Sequence, residues 1–169
     1  KAADTAMYRV KDTGRNSYEF HTPRLSEIVR RKFDMANDLH RALLNNEFTL
    51  YYQPQIEADS ASLVGVEALI RWRHPTRGLL GPSEFLAIAD DLGLIDELGL
   101  WVLRHACKQM SLWLDNCVAV PRIAVNIAPA QLDEELLDVL RDLLAEYRLD
   151  SSHLEIEICS QVKGALERR

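Results

Sequence analysis

The chain is predicted to be an α/β protein, and three observations predict it. Runs with strand character occur at residues 48–53, 63–72, 123–127 and 154–158, each rich in β-branched, aromatic or other apolar residues. Segments of helical period near 83–92, 95–113 and 132–147 lie between the last three of these runs, so strand and helix alternate as βαβα, the order of a parallel sheet or barrel. The first two strands are separated by the turn-forming cluster Asp59-Ser60-Ala61-Ser62. A parallel crossover needs a dozen or more residues, so this first pair is expected to be antiparallel.

Each element has its own local reason. Residues 2–10 read as a short helix, followed by a Gly14-Arg15-Asn16 turn and a strand through Tyr18-Glu19-Phe20. Thr22 and Pro23 then offer an N-cap and a first-turn proline. Leu25, Ile28, Val29, Ala36, Leu39 and Leu43 follow at helical spacing until Asn45-Asn46, and Arg30-Arg31-Lys32 reads as its solvated face. Pro54 is expected to end the first strand. Ser83 is expected to cap the helix that follows the second strand, and Gly93 to stop it. Trp101, Val102, Leu112 and Trp113 read as packing residues, and His105 and His153 as structural histidines.

With 169 residues, 47% hydrophobic and 27% charged, the composition is that of a globular chain of about one domain. A net charge of -6 argues against duplex nucleic acid as a partner, because such binding neutralises many phosphates with Lys and Arg. Cys107, Cys117 and Cys159 show no Cys-x-x-Cys spacing, so neither a disulfide framework nor a zinc site is expected, and a reducing cytoplasm is the natural location. No apolar run approaches the roughly 20 residues of a membrane span. The chain opens with Lys1 inside an apparent helix. It is therefore expected to be a piece of a longer protein, with an upstream membrane anchor left open.

The chemistry-bearing residues lie on the strands. In Val66-Glu67-Ala68-Leu69-Ile70-Arg71-Trp72 a carboxylate and a guanidinium stand near the end of an apolar run. If that strand is regular, Arg71 shares a face with Glu67 and Leu69, and its planar fork suits a phosphate. Asn126 and Glu157 lie on two further strands. Side chains at the carboxyl ends of parallel strands converge over a barrel mouth, so Glu67, Asn126 and Glu157 together would offer three oxygen donors to a hard cation such as Mg²⁺ or Mn²⁺. Taken singly, each reads as a solvated strand-end group.

These motifs, with Tyr51-Tyr52-Gln53-Pro54-Gln55, Val125-Asn126-Ile127 and Leu154-Glu155-Ile156-Glu157-Ile158, resemble the EAL domain family over about residues 38–161. The resemblance implies a β/α (TIM-like) barrel with a reversed first strand, of which only the first half is here. It implies Mg²⁺ or Mn²⁺ held by Glu67, Asn126 and Glu157, with Glu67 counted as catalytic. It places Gln53, Leu69 and Arg71 at the ligand, cyclic di-GMP, which the family hydrolyses to the linear dinucleotide. Pro82-Ser83-Glu84-Phe85-Leu86 and the stretch from Ala89 to Ile95 resemble the family's segment after the motif.

The opening resembles the last helix and strand of a GGDEF (diguanylate cyclase) domain, where Lys11 and Arg15 match residues that approach nucleotide phosphates. Read from the residues alone, they form a solvated basic turn. The expected organisation is a GGDEF tail at 1–22, a linker helix at 23–37 and an incomplete EAL domain at 38–169, with sensor domains upstream and homodimerisation through the EAL domain. The pattern departs at Cys159-Ser160-Gln161, where hydrolysing members have Thr-Glu-Ser. The absent glutamate orders an active-site loop in the family, so a non-catalytic cyclic di-GMP receptor stands as the alternative. Cys159 itself has no base paired with it in sequence and reads as a small buried thiol rather than a nucleophile. The family's later aspartates, lysine, glutamate and glutamine would all fall after Arg169, and the open half barrel alone is expected to associate or to be insoluble.

Overall fold

A computed structural model describes residues 23–158. Helix α1 (Pro23–Leu44) comes first. Its Arg30 is exposed and lies 3.8 Å from Asp34 one turn on, as a solvated face requires. The five strands are β1 (Phe48–Ile56), β2 (Leu63–His74), β3 (Gly78–Leu80), β4 (Ile123–Ile127) and β5 (Leu154–Ile158). Helices α2 (Pro82–Asp91) and α3 (Ile95–Asp115) lie between β3 and β4, and α4 (Glu134–Glu146) lies between β4 and β5. Short 3-10 turns at Pro129–Gln131 and Ser151–His153 flank α4.

The strands run in the order β1-β2-β4-β5, with β3 folded back on the end of β2. β1 and β2 pair antiparallel, whereas β2 with β4 and β4 with β5 pair parallel. This is a partial β/α barrel with a reversed first strand. The antiparallel start follows from the short link: residues 57–62 close a tight turn in which Ala61 N–H donates to the Glu57 carbonyl and Ser60 Oγ to the Glu57 carboxylate.

Strand β2 separates the two faces of the sheet. Val66, Ala68, Ile70, Trp72 and His74 are buried, while Glu67, Leu69 and Arg71 between them are half-buried. The period-2 alternation sends one set against the helices and the other into the barrel interior. On the helix side, Trp72, Phe48 and Phe85 form a cluster with ring centroids 5.7 Å apart in each pair. The Trp72 indole N–H donates to the Glu47 carboxylate at 3.0 Å, which removes the cost of burying that donor. Tyr52 packs edge-on against Trp113 at 4.8 Å, and burial pushes its phenol up to about 12.

Four details differ from the sequence expectation. Pro54 sits inside β1, in register with Val66, and the strand continues to Ile56. Among the described residues β1 has a neighbour on one side only, so a residue without an N–H is tolerated there. Helix α2 begins two residues early: Pro82 takes the first helical position, and Gly81 rather than Ser83 is the cap, its N–H held by the Glu84 carboxylate at 2.9 Å. Helix α4 starts at Glu134, because the Asp133 carboxylate accepts from Leu136 N–H at 2.8 Å. Gly93 ends α2 in the left-handed region, φ 69°, as expected. Leu112 is exposed rather than packed, while Trp101 and Trp113 are half-buried and Val102 buried.

The Trp72 side chain is fully buried, so Trp72→Ala is expected to cost about 3–5 kcal/mol of stability. The check is a lower denaturant midpoint with an unchanged slope of the unfolding free energy.

Candidate functional site

The inner face of the sheet collects the polar groups. Glu67, Leu69 and Arg71 lie at alternate positions of β2, Asn126 is the fourth residue of β4, and Glu157 lies opposite it on β5. The register places Glu67 beside Ala124 and Gln53 beside Glu67, so β1, β2, β4 and β5 each bring at least one polar side chain to the same region. The Asn126 amide donates to Glu67 Oε1 at 2.6 Å. Glu157 Oε1 accepts from the Gln55 amide at 3.1 Å.

Arg71 is held in two ways. Its Nη1–H donates to the Ile70 carbonyl at 2.9 Å, and its guanidinium carbon lies 5.7 Å from the Tyr51 ring centroid. Tyr51 stands two positions from Thr49, the residue opposite Arg71 in the β1–β2 register. The ring therefore meets the guanidinium diagonally across the pair, restricting the long side chain without using up its fork of donors.

Beside Glu67, Leu69 and Asn126 lies a cavity of about 260 Å³, otherwise walled by apolar side chains such as Leu86, Ile95 and Leu98. Its far wall is fixed by Gln131. That side chain accepts from Ala128 N–H at 3.0 Å and donates to the Ile95 carbonyl at 3.1 Å, fastening the turn after Asn126 to the start of α3. The Gln131 amide lies over Gly99, where any Cβ would collide with it.

Of the residues singled out from the sequence, Glu67, Asn126, Glu157, Leu69, Arg71 and Gln53 share this inner face. Gln53 is exposed, and Leu69 also lines the cavity. Lys11, Arg15 and the Cys159-Ser160-Gln161 departure lie outside the described residues. His105 Nδ1–H donates to the Trp101 carbonyl at 2.8 Å and its ring stacks on that indole, while His153 Nδ1 accepts from Asp150 N–H. Both have structural partners. Cys107 is buried, and burial, followed by the nearby Glu146 carboxylate, pushes its thiol up to about 11. Sequence reasoning missed Gln55, Tyr51 and Gln131. Period-2 alternation from Gln53 carried a signal for the first two, whereas Gln131 depends on a contact across the fold.

Among the described residues no three of His, Cys, Asp and Glu cluster as metal ligands. The oxygen donors available are the carboxylates of Glu67 and Glu157 and the amide of Asn126. This all-oxygen set fits a hard divalent cation rather than zinc or copper. Asn126 already touches Glu67, so the two side chains converge before any cation arrives.

A partial β/α barrel with oxygen donors and an arginine on its inner face defines a barrel domain built around a polar site. More particularly, the chain belongs to the EAL domain family, whose model matches residues 36–167. It is 42% identical over 157 residues to the bifunctional diguanylate cyclase/cyclic di-GMP phosphodiesterase MucR of Pseudomonas aeruginosa, covering 92% of this chain and 23% of that protein. It is 37% identical over 160 residues to the cyclic di-GMP phosphodiesterase NbdA of the same organism, covering 94% and 20%. The solved complex of the PaMucR phosphodiesterase with c-di-GMP superposes with a TM-score of 0.71 at 41% identity, over 78% of this chain and 54% of that one. The chain thus spans less than a quarter of the length of these curated relatives. Phosphodiesterases of this family are metal-dependent.

Replacing Tyr51 with Leu frees the Arg71 guanidinium, whereas Phe keeps the ring. An exposed cation–π contact contributes about 0.5–1 kcal/mol, so Tyr51→Leu is expected to lower stability by about that amount. Denaturant titration should show Tyr51→Phe close to the unaltered protein.

Proposed function

We propose that this chain is the first half of the EAL domain of a metal-dependent phosphodiesterase that converts cyclic di-GMP to the linear dinucleotide. The observation that carries the reading is the Asn126–Glu67 contact at 2.6 Å, with Glu157 next to Asn126 in register and Arg71 on the same face of β2 as Glu67. MucR and NbdA, both named as phosphodiesterases of this nucleotide, lend further support. Glu67, Asn126 and Glu157 would hold the cation, Mg²⁺ or Mn²⁺. Bound there, it would supply Lewis-acid polarisation of the phosphate and acidify water.

The chain's own side chains have separable tasks in this reading. Arg71 binds a non-bridging phosphate oxygen through its fork, oriented by Tyr51. Leu69 excludes water beside it, and Gln53 faces the nucleotide from β1. Asn126 orients the Glu67 carboxylate, and Gln131 fixes the turn that follows Asn126. We also propose a GGDEF tail at 1–22 with Lys11 and Arg15 as former phosphate contacts, a linker at 23–37, the EAL part from 38 onward, upstream sensor domains and homodimerisation. A reducing cytoplasm suits a chain whose cysteines lack disulfide spacing. Among the described residues no helix is long and apolar enough to cross a membrane.

The test uses the full-length protein incubated with cyclic di-GMP and Mg²⁺ or Mn²⁺. Linear dinucleotide is expected, falling to background with Glu67→Ala or with EDTA and returning when the cation is restored. Arg71→Lys should lower kcat/KM by about 10- to 150-fold, equivalent to about 1.5–3 kcal/mol, the worth of a hydrogen bond to a charged group. Tight binding with no turnover in the unaltered protein would overturn the enzyme reading in favour of a receptor, the alternative that the Cys159-Ser160-Gln161 sequence raises.

A further inference from the structure

We infer that Gln55 is a positioning residue for Glu157, fixing that carboxylate for a divalent cation while leaving its charge intact. The inference rests on the metal site proposed above and extends it to a residue outside the donor set. Gln55 lies on β1 and Glu157 on β5, at opposite ends of the strand order, yet the amide reaches the carboxylate at 3.1 Å across the inner face.

Two features of the backbone make that reach possible. The β1–β2 register shifts between Gln55 and Ile56, and such irregularities re-aim side chains. Directly opposite Gln55 in the ladder is Gly65, and a Cβ there would come within 3.1 Å of Gln55 Oε1 and 2.9 Å of Arg122 Cγ. The missing side chain is the space through which Gln55 extends and beside which the Arg122 stem lies.

The neighbouring charges explain why an amide suits this place. Glu155 and Glu157 are two residues apart and share the inner face of β5. Arg122 approaches Glu155, with Nε and Oε2 2.6 Å apart at an angle that misses hydrogen-bond geometry. Glu155 is thereby charge-compensated, whereas Glu157 receives a neutral donor. A cation beside Glu157 would compete with a metal ion. A neutral N–H fixes one carboxylate oxygen without neutralising the group, so its negative charge stays available to a cation.

The experiment measures Mn²⁺ affinity by electron paramagnetic resonance on the full-length protein without nucleotide, alongside thermal melts of the metal-free forms. Gln55→Met keeps the length of the side chain and removes the donor. It should bind Mn²⁺ about 10- to 100-fold more weakly, the usual cost of losing an outer partner of a metal ligand, and Gln55→Lys more weakly still. In a Glu157→Gln background, Gln55→Met should change nothing further. Affinity equal to the unaltered protein in a folded Gln55→Met variant, or a full additional loss in the Glu157→Gln background, would overturn the assignment while leaving the metal site standing. If the unaltered protein binds no more Mn²⁺ than Glu67→Ala, the metal-site reading fails and the role of Gln55 falls with it. Should Gln55→Met melt before it can be assayed, Gln55→Lys carries the same test, and undiminished Mn²⁺ binding by it overturns the proposal.

Discussion

Everything in the domain depends on the two-sidedness of β2. Its even-numbered residues from Val66 to His74 are covered by helices, and the burial of Trp72 among Phe48 and Phe85 fixes the strand in translation and rotation. A slip of one residue would send Glu67 and Arg71 into the apolar layer, where neither charge has a partner, and would expose Trp72. Hydrophobic packing on one face thus determines which side chains reach the other. The functional groups are placed by residues that never touch a ligand.

The inner face adds a second level of order. Arg71 is steadied by a carbonyl and an aromatic ring, neither of which competes for anions. Asn126 bridges to Glu67, and Gln131 ties the turn beyond Asn126 to the helix start at Ile95. These contacts are neutral-to-charged or neutral-to-neutral. Among the described residues, Glu67, Glu157 and Arg71 on this face are without an ion pair, the combination that a phosphate and a divalent cation together require.

Much of this was legible in the sequence because period-2 and period-3.6 patterns are local. Val66 to Trp72 alternates cleanly, so the shared face of Glu67, Leu69 and Arg71 could be read directly, and the brevity of residues 57–62 dictated the reversed first strand. What could not be read depends on tertiary context. Pro54 looked like a strand end because its tolerance inside β1 depends on β1 having, among the described residues, a neighbour on one side only. The three-residue β3 is too short to show a period. Gln55 and Gln131 resemble any surface glutamine until the register and Gly99 bring their partners within reach. Ser83 was outcompeted as a cap because Pro82 takes the first helical position and leaves Gly81 as the boundary.

The reversed first strand also bears on how such a domain folds. Parallel pairing of β2 with β4 joins Val66 to Ile123 and must close a long loop before any ladder bond rewards it. Pairing of β1 with β2 spans only the short turn at 57–62 and can form on the microsecond scale of hairpins. The antiparallel start therefore supplies a locally made template, already twisted and with one face apolar, onto which the distant parallel strands add. A barrel built wholly of parallel units has no such early platform.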